Sequence, residues 1–153
     1  FDAPKAPLCR CGKLGCVEAR AAGWAIARDL RAGGFDGKNA PDVLALVDRG
    51  TPECIQRIRE AGRVLGEVLA DVVSILNPTT IVIGGTLAQA GEHLIAGIRE
   101  MIYQRCLPLA IEGLAIQTAR SDDRAGVLGA AQLVIDAKLQ PSAIGQTVAR
   151  VVG

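Results

Sequence analysis

Aromatic side chains are nearly absent from this chain: two Phe, one Tyr and one Trp in 153 residues. With half of the residues hydrophobic, the core must come from Ala, Val, Leu and Ile, packed helix on helix or helix on sheet. Long apolar runs are missing too. None approaches the roughly 20 residues that span a bilayer, so no membrane segment is expected. Charge of one sign is nowhere concentrated. Seventeen basic and 16 acidic residues leave a net charge of +1, with no basic block to suit nucleic acid or an anionic lipid surface. Histidine is down to one, His93, which falls on a predicted helix and reads as a solvated surface residue. No signal peptide or cleavage site is visible, and the opening FDAPKAPL has the character of a mid-protein loop. The chain is expected to be a soluble, cytoplasmic part of something larger.

What is present begins with sulfur. Three of the five cysteines, Cys9, Cys11 and Cys16, lie in the run CRCGKLGCVE. An odd count with such a cluster argues against a secreted disulfide framework and for a reducing compartment. The C-x-C-x4-C spacing lets a loop wrap three thiolates around one tetrahedral ion, and Gly12 and Gly15 permit the tight positive-φ backbone that such a knuckle needs. Zinc is one reading and three reduced thiols without metal the other. Zinc wants a fourth ligand, and none lies adjacent. Cys54 and Cys106 sit in helical patterns and read as small core residues.

Beyond the Pro-, Cys- and Gly-punctuated residues 1–16, the segment 17–31 reads as one helix stopped by Gly33-Gly34. A short helix follows in PDVLALVDRG. Thr51-Pro52 reads as an N-cap and first helical position of a long helix reaching about Leu76. Its apolar stripe is expected to be Ile55, Ile58, Leu65, Val68, Leu69, Val72, Ile75 and Leu76. Gly62 and Gly66, four apart, would let another backbone approach, and invite self-association. Asn77-Pro78 breaks the helix. The β-branched run TTIVIGG is then the signature of a buried strand ending in a glycine turn. Residues 88–105 read as helix, with Leu94, Ile98, Met101 and Ile102 inward. GLAIQTA reads as a second strand, DRAGVLGAAQLVIDAKL as a helix, and PSAIGQTVARVV as the start of another. This order implies an α/β layer with parallel strands. Two strands are few for a stable sheet.

The run C-x-C-G-x-x-G-C-x-E resembles the signature of the ROK family, which groups bacterial sugar kinases with sugar-responsive repressors. LNPTTIVIGGTLAQAGEHLIAGIREMIYQRCLP is similar to the family's closing strand-turn-helix block, and DRAGVLGAA to its last helix. The resemblance implies the C-terminal portion of an actin-like ATPase (ribonuclease H-like) α/β lobe, helix-rich with few parallel strands. It divides the chain into a zinc-binding loop, 1–18, and a C-terminal ROK-type α/β domain, 19–153. It also makes Cys9, Cys11 and Cys16 zinc thiolates, with a fourth ligand, a histidine, just before this chain. Glu18 matches the glutamate that accepts hydrogen bonds from sugar hydroxyls, a role that suits a charged acceptor. Read without the family, Glu18 is an acid in a helix's first turn, favourable to the dipole. Gly84, Gly85 and Thr86 match the turn where kinases lay a nucleotide, ATP in the case of a kinase parent. Taken alone, they make an ordinary strand-to-helix turn.

Kinases usually continue from that turn with a third small glycine and a serine, where this chain has Thr86-Leu87. The tail LVIDAKLQPSAIGQTVARVVG looks like the additional helix of regulator members. Arg120-Ser121-Asp122-Asp123 departs from the usual leucine-glycine pairing. The resemblance therefore points to the effector-sensing and oligomerisation portion of a ROK transcriptional repressor, with a sugar effector and a homo-oligomeric partner. DNA would be reached only through an N-terminal domain outside this chain. A fragment of an ATP-dependent sugar kinase, glucokinase-like, is the alternative, and a structural dimerisation module a third reading. The first-lobe aspartate base of family kinases is not in these residues, so the polypeptide by itself is expected to transfer no phosphoryl group.

Overall fold

The computed structural model describes residues 6–120 and 124–144. They fall in two compact units, residues 1–119 and 120–153. The first unit holds α1 (Val17–Ala21), α2 (Gly23–Ala32), α3 (Ala40–Asp48), α4 (Pro52–Leu76), β1 (Thr80–Ile83), α5 (Glu92–Arg105), α6 (Pro108–Ile111) and β2 (Ala115–Thr118). The second contains α7 (Ala125–Leu139). Helical residues continue from Pro141 to Ile144, and the rest of the expected tail helix, like residues 121–123, lies outside the described residues.

α4 is the scaffold, 25 residues long. Thr51 and Pro52 open it, Thr51 with extended backbone and no side-chain cap bond. Asn77 closes it in the left-handed conformation at φ 44°. Its buried face differs from the expected stripe. Cys54, Ile58, Ala61, Gly62, Val64, Gly66, Ala70 and Val73 are buried, whereas Val68, Ile75 and Leu76 are exposed. Helix proximity explains the difference. A Cβ on Gly66 would lie 2.7 Å from the Ile98 carbonyl oxygen and 2.8 Å from Met101 Cβ, and one on Gly97 would lie 3.0 Å from the Arg63 nitrogen. α4 and α5 touch backbone to backbone, and only the small-residue face of α4 admits that approach. Of the expected stripe, Val68, Ile75 and Leu76 are turned outward, while Ile58 is buried and Ile55, Leu65 and Leu69 pack half-buried against the core. Gly62 and Gly66 are thus covered by α5 of the same chain, which corrects their reading as a self-association face.

Contacts advance together along both helices, from Gly62 near Gly97, through the ion pair of Arg63 with Glu100 (3.0 Å), to Cys106 Sγ donating to the Ala70 carbonyl (3.4 Å). α4 and α5 therefore run in the same direction. α5 is the crossover between β1 and β2, which pair in parallel with Ile81 opposite Ile116. Among the described residues the sheet has these two strands alone. Helices cover one face, carrying half-buried Ile81 and Ile83 and buried Ile116, while Val82 on the other face is 56% exposed. The expectation of a buried strand is corrected accordingly: β1 is half-buried on one face and exposed on the other. Leu94, Ile98 and Ile102 are buried as expected, and His93 is exposed.

Alanine at Gly66 or Gly97 separates crowding from propensity. In an open helix the change adds up to about 1 kcal/mol of stability. Here overpacking is expected to outweigh that gain, with a net loss of about 1–3 kcal/mol. A lowered thermal midpoint with unchanged sedimentation is the expected result.

Candidate metal centre and carboxylate site

The knuckle is a miniature hairpin. Leu8 and Leu14 form an antiparallel bridge, and Cys9 N–H donates to the Lys13 carbonyl at 2.8 Å. Gly12 N–H returns to the Cys9 carbonyl at 3.0 Å, and Gly15 N–H to that of Pro7 at 2.9 Å. Gly12 and Gly15 adopt φ +85° and +73°, conformations that disfavour any side chain with a Cβ. The result is convergence: the sulfurs of Cys9, Cys11 and Cys16 all lie within 4.8 Å of one another. Four thiolates tetrahedrally bound at about 2.3 Å would be about 3.8 Å apart. The Cys11–Cys16 separation of 3.6 Å is close to that figure, so the soft donor set and its spacing fit a thiophilic divalent ion. Cys54 and Cys106 are buried elsewhere, their thiols directed at the carbonyls of Val43 and Ala70.

Bringing the thiols together separates their acidities. The Lys13 N–H, then the neighbouring Cys9 and Cys16 thiols, hold Cys11 below the ordinary thiol range. Contact with Cys11, then desolvation, pushes Cys16 up to about 11. Cys16 thus keeps its thiol proton at neutral pH, with the Cys11 sulfur 3.6 Å away. A metal ion must displace that proton.

Glu18 follows two residues after Cys16, which caps α1. The expected single helix over 17–31 is broken at Ala22, whose ψ of 155° is extended. Gly23 then lies against α3, where a Cβ would sit 2.5 Å from that of Ala40. The break has a consequence for the site. On a continuous helix, residues six apart would lie about 120° apart around the axis and about 9 Å along it. Across the interruption, Trp24 Nε1 donates to Glu18 Oε1 at 2.7 Å. The guanidinium carbons of Arg10 and Arg28 lie 4.6 and 5.5 Å from the indole centroid, within cation–π range. Arg28 is itself held by the Ala19 carbonyl (3.1 Å) and Asp29 (2.7 Å). Glu18 remains exposed, so its other acceptor positions face solvent. Trp24, Arg10 and Arg28 carry no motif. The one available signal was a lone tryptophan six residues beyond the acid.

Gly84, Gly85 and Thr86 lie at the C-terminal end of β1 and are exposed. Gly85, at φ +90°, leads into a 3-10 turn at Thr86–Ala90 that packs against α3. The carboxyl ends of parallel strands are where open α/β sheets take ligands. A cleft of about 610 Å³ has Arg28, Asp29, Arg57 and Glu60 in its wall, and neither Glu18 nor the cysteines. Its carboxylates pair with its own arginines, at 2.7 and 2.9 Å.

Cobalt(II), a spectroscopic stand-in for a tetrahedral ion, is expected to give a thiolate charge-transfer band that Cys11→Ser abolishes. Because Cys16 holds its proton up to a pKa of about 11, the apparent affinity should rise with pH across the neutral and alkaline range. A pH-independent titration would contradict the assignment of that proton.

The ROK family profile matches residues 2–137. An N-acetylmannosamine kinase of Citrobacter koseri is 33% identical over 130 residues, covering 85% of this chain and 43% of the kinase. A ROK family transcriptional regulator, a homologue of the E. coli MLC protein, superposes with a TM-score of 0.68 at 29% identity, covering 75% of this chain and 32% of its own. A Streptomyces griseus ROK glucokinase, solved with glucose and AMPPNP, gives a TM-score of 0.70 at 27% identity over 86% of this chain and 48% of its own. The chain thus spans less than half the length of each of these relatives. With the knuckle, the acid and the strand-turn-helix block in the family's order, this chain belongs to the ROK family and has part of its actin-like ATPase fold.

Proposed function

We propose that this chain is the sugar-effector-binding and assembly portion of a ROK-family transcriptional regulator. The observation that carries sugar binding is Glu18: an exposed carboxylate with one oxygen engaged by Trp24 and the other free to accept, two residues from a cluster of three thiols. A carboxylate makes strong, directional bonds to adjacent hydroxyls, which is what hexose recognition requires. Cys9, Cys11 and Cys16 are the residues to hold zinc, and bound zinc would cross-link the loop from which α1 and Glu18 emerge. A reducing cytoplasm would keep those thiols available. The regulator role draws its support from Thr86-Leu87, which replaces the small glycine and serine usual after the kinase turn, and from the likeness to a ROK regulator. Effector binding would then bias how subunits of a homo-oligomer present DNA-binding domains outside this chain, through differential affinity for two states.

The kinase reading has its own support. The N-acetylmannosamine kinase relative is 33% identical over 85% of this chain, and Gly84-Gly85 occupies a strand end where a nucleotide could lie. The two readings diverge in one experiment on the intact protein. Calorimetry with glucose and N-acetylmannosamine should detect binding, weakened roughly 10- to 100-fold by Glu18→Gln, the loss of a charge-assisted hydrogen bond. Added ATP should then produce no sugar phosphate. Steady turnover would overturn the regulator reading in favour of the kinase.

A further inference from the structure

We propose that Trp24 is the positioning residue of the Glu18 carboxylate, and that Arg10 links its indole to the cysteine knuckle. The inference rests on Glu18 being a sugar acceptor. Trp24 is the sole tryptophan of the chain and is half-buried. Indole offers a single donor and no acceptor, so its bond to Glu18 Oε1 at 2.7 Å has a fixed direction. An exposed glutamate otherwise loses side-chain rotamer freedom only when the ligand arrives, at the expense of affinity. With one oxygen held beforehand, the second is oriented before any sugar binds.

The ring that holds it is held in turn. Arg28 is anchored to the Ala19 carbonyl and to Asp29, and its guanidinium carbon lies 5.5 Å from the indole centroid. Arg10, at 4.6 Å, stands between Cys9 and Cys11 in sequence. Any movement of the loop on gaining or losing a metal ion is therefore passed through Arg10 to the indole and on to the acid. Phenylalanine at position 24 would keep a ring for the two cations and lose only the N–H. That makes the hydrogen bond separable from packing.

The test is a double-mutant cycle on the intact protein, read as glucose affinity by calorimetry. Trp24→Phe is expected to weaken binding about three- to tenfold, and Glu18→Ala, which removes the acceptor altogether, to weaken it more. The double variant should bind no more weakly than Glu18→Ala alone, because alanine at position 18 leaves the Trp24 N–H no acceptor through which to act. An equal loss from Trp24→Phe in both backgrounds, which a merely structural role predicts, overturns the positioning role alone. An unchanged affinity in Glu18→Ala sinks the sugar-acceptor reading and the positioning role with it. Fluorescence supplies an arm that needs no sugar and no change at Trp24. Chelating zinc should shift the tryptophan emission of the unsubstituted protein, and Arg10→Met should remove that shift. A shift that persists in Arg10→Met overturns the link to the knuckle.

Discussion

Backbone contact between α4 and α5 is the constraint on which the rest of this structure depends. Gly62 and Gly66 on one helix meet Gly97, Ile98 and Met101 on the other at distances that exclude a Cβ. Because α5 is the crossover between parallel strands, its seat on α4 fixes where β1 and β2 lie and which strand face is covered. Because α1 also packs on α4, the same seat fixes the helix from which Glu18 projects. Small residues accomplish this where large ones could not: ridge-into-groove packing of leucines keeps helix axes about 8–10 Å apart.

The candidate site is built from local backbone decisions rather than from a deep pocket. Two positive-φ glycines fold the loop so that three sulfurs converge. Hydrogen bonding within the loop sets the acidities of Cys11 and Cys16 apart, lowering the first and raising the second, and a divalent cation would favour the thiolate of both. The loop delivers Cys16 to the start of α1, and the extended Ala22 turns the chain so that Trp24 reaches back to Glu18. Each step is short in sequence, which suits a site that must hold a carboxylate steady while leaving it open to solvent.

A ROK glucokinase and a ROK transcriptional regulator share this part of the fold with the chain, which is what a scaffold reused for different outputs looks like. The sulfur knuckle with Glu18 and the glycine turn after β1 are separate features of that shared part. The regulator reading proposed above leans on the second of these, at Thr86-Leu87.

Sequence by itself determined the succession of α3, α4, β1, α5, β2 and α7, the parallel pairing, and the clustering of Cys9, Cys11 and Cys16 with Glu18 beside them, since glycine, proline and cysteine spacing act over a few residues. The core positions of α5 were legible for the same reason: its periodicity and its burial agree. Only the tertiary structure decided which face of α4 is inside. Hydrophobicity ranks Ile75 and Leu76 above Gly62 and Gly66, yet proximity to α5 rewards the absence of a side chain. It also decided the break at Ala22 and the bond from Trp24 to Glu18, because nothing in the local composition forbids a continuous helix there. The interruption depends on Gly23 meeting Ala40, a contact between residues 17 positions apart that no local pattern encodes.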